Sequence, residues 1–283
     1  MSRTVAIALL VLGFVLAAAP LPALEPAQVR TWVCYYGSGD RTADLARFDL
    51  AVLDPATPPP PRDGSGRPLR LGYLSLGEVD KAGPNARLVK GRPFLVGEDG
   101  FWKSWKIDVR SPEWRRLVLE RLAPAVLAEG FDGLFLDTMD TALHLEATHP
   151  KKYKGMGAAL ADLVRELHRR WPGACLCQNR GFAVLDRTAP DIDFLLLEGL
   201  TSTQDHDSGA YVRVAEADRE WLSAQAEAAR QRNPRLVTLS LDYAAPDDAG
   251  LAREAIAYAR GRGFVPYVAN YTLDAVYAHT LDR

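Results

Sequence analysis

The sequence predicts a single (β/α)8 barrel of the α/β class, and three observations carry that expectation. Eight short, apolar, β-rich runs alternate with amphipathic helical patterns along 283 residues, an order that favours one parallel sheet. The length suits a complete barrel, whose usual size is about 250 residues. Several of the runs stop on an acid or another polar side chain, at the carboxyl ends of strands where barrel enzymes carry their chemistry.

Residues 1–24 stand apart from the rest. Arg3 precedes an apolar run over 5–19, followed by small residues and prolines, which is the build of a secretory signal peptide. The run is shorter than the roughly 20 residues of a membrane-spanning helix, and no cysteine stands near 19–23 to take a lipid. A secreted or periplasmic protein without stable membrane insertion is therefore expected, with 25–283 as the mature barrel; an uncleaved amino-terminal anchor is the alternative.

The strand candidates are TWVCYYG (31–37), FDLAVLD (48–54), LRLGYLSLG (69–77), DGLFLD (132–137), ACLCQN (174–179), DFLLLE (193–198), LVTLSLD (236–242) and FVPYVAN (264–270). Helical patterns cover 112–129, 157–171, 211–232 and 247–260. The first of these starts well, with Ser111 as a capping hydroxyl and Pro112 in the first turn. Pro58 to Pro61, with Gly64 and Gly66, forbid a regular helix between the second and third strands, so the barrel is expected to be irregular or to lack a helix there. No low-complexity linker divides the chain.

Composition narrows the function classes. The formal net charge is −2, with 48% hydrophobic and 25% charged residues and no basic stripe, which argues against nucleic acid as a partner. Cys34, Cys175 and Cys177 read as buried apolar residues, a disulfide from Cys34 to either of the others being the alternative in an oxidising compartment. The ligands and spacing of a zinc site are missing, and the DHD run at 205–207 reads as a solvated loop, so no metal is expected. The chain has no G-x-S-x-G elbow, H-E-x-x-H, phosphate loop or G-x-G-x-x-G after the first strand. Serine hydrolase, zinc protease and dinucleotide enzyme lose ground, and no cofactor is expected.

The candidate site is the set of polar strand ends. Asp137 and Glu198 each close an apolar run, and a pair of carboxylic acids is what splitting a glycosidic bond takes. A lone acid after a strand is commonly a helix cap or turn former, but Thr138 and Asp140 stand ready to cap after Asp137, and Glu198 before Gly199 has little value as a cap. Around this catalytic pair, Tyr35, Asp54, Glu78, Asp140, Asn179, Arg180, Asp242 and Tyr271 are the candidate substrate contacts, the acids either binding sugar hydroxyls or organising loops. Trp102 and Trp105 either stack on a sugar or pack into the core.

With those residues in view, the chain resembles the endo-α-1,4-polygalactosaminidase type of hydrolase, glycoside hydrolase family 114 and its relatives, and leans toward the hydrolase domains of Pel-type exopolysaccharide systems. YLSLGE (73–78), WKIDVRSPEW (105–114), GFDGLFLDTMD (130–140), QNRGF (178–182) and LLLEGL (195–200) carry the likeness, in that order. The resemblance implies an endo-acting enzyme on α-1,4-linked galactosamine or N-acetylgalactosamine polymers, with Asp137 and Glu198 as its acid pair. One departure bears on the sugar: Asp137 is followed by Thr138 where the family's pattern has asparagine. A retaining mechanism is expected, with Asp137 as nucleophile and Glu198 as acid and then base. Surplus acids at Asp54, Glu78, Asp140 and Asp242 are expected to attract a cationic polymer. A monomer is expected. The rival readings are a non-catalytic glycan-binding barrel and a hydrolase of another α-linked glycan.

Overall fold

In the computed structural model, which describes residues 24–281, all eight expected runs are strands and lie side by side in chain order. The leader expected over 1–24 lies, except for Leu24, outside the described residues. β1 (Trp32–Tyr35), β2 (Leu50–Leu53) and β3 (Leu69–Ser75) open the sheet. The chain then leaves it for an antiparallel side sheet of β4 (Glu78–Asp80), β5 (Leu95–Asp99) and β6 (Ser104–Ile107), with β6 in the middle. It returns as β7 (Gly133–Asp137), β8 (Cys175–Asn179) and β9 (Phe194–Glu198). A second excursion, the hairpin of β10 (Ser202–Gln204) and β11 (Tyr211–Arg213), precedes β12 (Val237–Tyr243) and β13 (Val265–Ala269). Every neighbouring pair in the eight-stranded sheet is parallel.

The sheet curls until its ends meet. Among the described residues no ladder joins β1 to β13; the Trp32 indole N–H donates to the Val265 carbonyl at 3.0 Å and the Tyr36 N–H to the Leu273 carbonyl at 2.8 Å across the seam. The strands read as continuous apolar runs because both faces are covered, as a wrapped parallel sheet requires. Side chains alternate between the barrel interior and the helix layer. The register Ser75↔Asp137, Phe135↔Cys177, Asn179↔Leu196 and Glu198↔Leu241 therefore decides which residues share the interior.

Three of the four expected helices stand close to their forecast bounds. Pro112–Leu117 and Ala123–Ala128 form one rod through a π-helical turn, Val118–Leu122, beside Pro124, which has no N–H to give the preceding turn. Ser111 caps it, its hydroxyl accepting from the Trp114 N–H at 3.4 Å. Met156–Arg170 and Ala249–Gly261 follow their patterns. The fourth is shorter than expected: 211–213 pairs as β11 and the helix is Glu216–Arg232. Between β2 and β3 the chain is without a helix, as the prolines require. Met139–Thr148 is a helix the sequence did not announce, since only Met139 and Ala142 of it are buried.

At the amino ends of the strands, acids tie neighbours together. Asp49 accepts from the N–H groups of Arg30 and Thr31 at 2.8 and 3.0 Å. Asp132 accepts the Arg70 N–H and both arms of its guanidinium, each at 2.9 Å, and pairs with Arg62. Asp193 accepts the Leu176 N–H at 2.9 Å.

Candidate active site

Four adjacent strands, β7, β8, β9 and β12, end on Asp137, Asn179, Glu198 and Tyr243, all on the interior face. Asn179 is buried between the two acids, and its amide donates to Asp137 Oδ1 at 2.9 Å and to Glu198 Oε2 at 2.7 Å. Those two legs cap the separation of the bonded oxygens at their sum, about 5.6 Å. Tyr243 donates to the other Glu198 oxygen at 2.6 Å. Glu198 thus has a donor on each oxygen while both acids keep part of their surface open at the mouth.

The surroundings are dry. Burial, followed by the Asp137 charge, pushes the Glu198 carboxyl up, and the Tyr243 and Asn179 hydrogen bonds and Arg180 only partly offset this. Tyr73, which hydrogen-bonds Asp137, packs edge to face on Tyr36 with centroids 5.6 Å apart; burial and nearby negative charge push both phenols well up, so both stay protonated. Arg180 donates to the Glu198 carbonyl at 2.9 Å and to Asp140 at 2.9 Å, and Asp140 also accepts the Gly181 N–H at 3.1 Å. Asp140 is therefore the anchor of the Asn179–Arg180 turn rather than a helix cap.

Tyr271 stands at the mouth beside Tyr243, ring centroids 5.0 Å apart, and desolvation and the Glu198 charge push it up to about 12. Trp102 is exposed at the tip between β5 and β6, so it is not core, while Trp105 on β6 packs half-buried against the core.

Four expected sugar contacts lie elsewhere. Tyr35 is 1% exposed and its hydroxyl is occupied by both the N–H and the carbonyl of Gly39. Asp242 is fully buried on the helix side of β12, where it accepts from the Thr201 and Ser202 N–H groups and burial pushes it up to about 7. In both cases the chain neighbour, Tyr36 or Tyr243, holds the interior position, because strand side chains alternate and Tyr35 and Asp242 fall on the face toward the helices. Glu78 is buried where the side sheet begins, bonded to Ser104 and to Thr141, so it locks that sheet to Met139–Thr148. Asp54 is exposed and accepts its own turn's Ala56 N–H at 2.7 Å. The expected acidic field at the rim shrinks accordingly.

The three cysteines are free, Cys34 and Cys177 inside the barrel, where burial raises both thiols. Among the described residues no cluster of His, Cys, Asp and Glu is arranged to hold a metal, and no helix is long and apolar enough to cross a membrane.

A paired acid site at the carboxyl ends of barrel strands is the arrangement of a glycosidase. The model of glycoside-hydrolase family GH114 matches residues 15–282. The chain belongs to family GH114. It is a glycoside hydrolase, and the reading as a non-catalytic glycan-binding barrel falls. The glycoside hydrolase domain of PelA from Pseudomonas aeruginosa is similar in structure, with a TM-score of 0.74 and 29% identity over 88% of this chain and 97% of that one. Ega3 of Aspergillus fumigatus, solved in complex with galactosamine, shares the fold at a TM-score of 0.64 and 14% identity, over 89% of this chain and 96% of that one. No curated protein matches.

Within this GH114 chain, Thr138 has a structural task. It takes the left-handed conformation, φ 61°, and its hydroxyl receives the Gly77 N–H at 2.8 Å and bonds Ser75 Oγ at 2.7 Å, tying the end of β3 to the end of β7. A side chain at Gly77 would stand 2.2 Å from the Thr138 carbonyl, so glycine is required there.

Proposed function

We propose that this chain is an exported, monomeric, endo-acting hydrolase of α-1,4-linked galactosamine or N-acetylgalactosamine polymers that works with retention through Asp137 and Glu198. The observation that carries the pair is the Asn179 amide shared between the two carboxylates. A bridge of that size supports retention, which wants carboxyl groups about 5–5.5 Å apart, over inversion, which wants about 6.5–9.5 Å.

Asp137 attacks the anomeric carbon from the β face as the bond to the leaving oxygen breaks, and Glu198, held protonated by burial and by the Asp137 charge, delivers its proton to that oxygen. The β-linked glycosyl ester is then attacked by water. Glu198 takes the water proton, Asp137 leaves as a carboxylate, and the product is the α-anomer. Galactosamine belongs to the Ega3 structure; for this chain the amino sugar rests on the five family-like motifs, and export on the composition of 1–24.

The test is product release from galactosamine, N-acetylgalactosamine and neutral galactose polymers, read by mass spectrometry, with the first anomer followed by proton NMR. Oligosaccharides from an amino-sugar polymer, appearing as the α-anomer and absent with Asp137→Asn, are expected. A first-formed β-anomer would end the retaining assignment, and products from the neutral polymer alone would end the substrate assignment.

A further inference from the structure

An unbroken run of rings leads from Glu198 out to solvent. Tyr243, which holds Glu198, packs on Tyr271. Tyr271 lies nearly parallel to Trp102, with centroids 6.0 Å apart and planes 26° apart. His206 stands edge-on to Tyr271 at 5.5 Å and to Phe101 at 4.5 Å, and Phe101 is edge-on to Trp102 at 4.8 Å. The rings come from four separate places: the end of β12, the β5–β6 tip, the β10–β11 tip and the segment after β13.

Phe101 and Trp102 are 55% and 58% exposed, although large apolar side chains gain by leaving water. Their tip is built to hold them out. Asp99 accepts the N–H groups of both at 3.0 Å and is itself paired with Lys106 at 3.3 Å. Tyr271 is steadied from the other side, its N–H donating to the Tyr211 hydroxyl of β11 at 3.1 Å. Among the described residues only ring contacts join the β5–β6 tip to His206 and Tyr271.

We propose that Trp102 and Tyr271 form a slot for one pyranose of the substrate chain, beside the Tyr243-held edge of Glu198, with Phe101 and His206 closing its outer end. The slot deepens the function proposed above and rests on it for the identity of the sugar. A pyranose clasped on both faces needs carbon contacts of about 3.5–4 Å on each side, hence about 7–8 Å between the rings. At 6.0 Å the slot is shut, so a sugar enters by parting the tip from Tyr271 by about 1–2 Å. Parting two tips that share only ring contacts admits an internal stretch of polymer from the side, with no chain end needed. An amino sugar adds the attraction of its ammonium for the ring faces.

The test uses the full chain. Binding of galactosamine, N-acetylgalactosamine and neutral galactose oligosaccharides is measured by calorimetry in an Asp137→Asn background, and KM is measured on polymer with Asp137 intact. Trp102→Ala is expected to raise both Kd and KM about tenfold, the loss of one stacking contact, while Trp102→Phe restores most of the affinity. Trp221→Ala, which removes an exposed tryptophan on Glu216–Arg232, is expected to change neither. The Trp102 emission, taken as the difference between parent and Trp102→Phe, is expected to change on binding. Cleavage of amino-sugar polymer with Kd and KM untouched by Trp102→Ala overturns the slot and leaves the proposed function standing. Binding of a neutral glycan through Trp102, without cleavage of any amino-sugar polymer, overturns the proposed substrate and leaves the slot. No binding of any of the three by the parent overturns both.

Discussion

β2, β7 and β9 each run between two acids five positions apart: Asp49 and Asp54, Asp132 and Asp137, Asp193 and Glu198. The local sequences are nearly interchangeable, yet the two ends of the barrel use their acids in opposite ways. At the amino end Asp49, Asp132 and Asp193 take backbone N–H groups of the neighbouring strand, and Asp132 also takes two arginines. At the carboxyl end Asp137 and Glu198 share one neutral amide, keep surface open at the mouth, and face each other in a dry site. The acids at the amino end are committed to backbone and arginine donors that stabilise the barrel, whereas the two at the carboxyl end are held only by neutral donors and lie beside one another, which suits the acid pair proposed above. Asp54 shows that position on the rim is insufficient, because its own turn satisfies it.

The comparison breaks most sharply on β7. Asp137→Asn is expected to lower kcat by about 10³-fold or more with the melting temperature unchanged within a few degrees. Asp132→Asn, at the other end of the same strand, is expected to leave the turnover of folded protein intact and cost about 3 kcal/mol, because Arg70 and Arg62 lose their buried counter-charge. Denaturant unfolding beside steady-state kinetics separates the two; a Asp132→Asn protein that is stable but inactive would contradict the division of labour.

Smaller effects sharpen it. Tyr243→Phe removes a hydrogen bond that favours ionised Glu198, so the Glu198 carboxyl rises further and the basic limb of the kcat/KM profile moves to higher pH, with a loss of about tenfold at the optimum. A downward move of that limb would show that Glu198 is not the group it reports. Asp242 bears on stability alone, through pH. Its folded pKa, about 7, lies above the ordinary carboxylate value, so the folded state holds the extra proton between the two, and stability is full below the ordinary value and lost as pH rises toward 7. Asp242→Asn removes that loss, and the variant's melting temperature is expected to gain on the parent as pH rises from about 4 to about 7. A pH-independent difference would rule the linkage out.

Much of the barrel was legible along the chain. Eight buried parallel strands need eight continuous apolar runs, and a run of Leu, Val and Ile announces itself without knowledge of its neighbours. Proline chemistry likewise forecast the helix-free passage from β2 to β3. The two excursions were not legible as such. β4, β5 and β6 span three to five residues and β10 and β11 three each, so their pattern is too brief to separate from loop.

Within the site, the sequence by itself marked Asp137, Glu198 and Asn179 as polar strand ends, because each closes an apolar run at the end where a barrel opens; that Asn179, expected as a sugar contact, bridges the two acids came from the structure. Which of two adjacent residues faces that opening was decided by the tertiary structure alone. Strand parity is set by register with the neighbouring strands, so Tyr36 and Tyr243, rather than Tyr35 and Asp242, stand inside. The meeting of Trp102, His206 and Tyr271 was decided the same way, since residues more than 60 positions apart share a surface only once the sheet has closed.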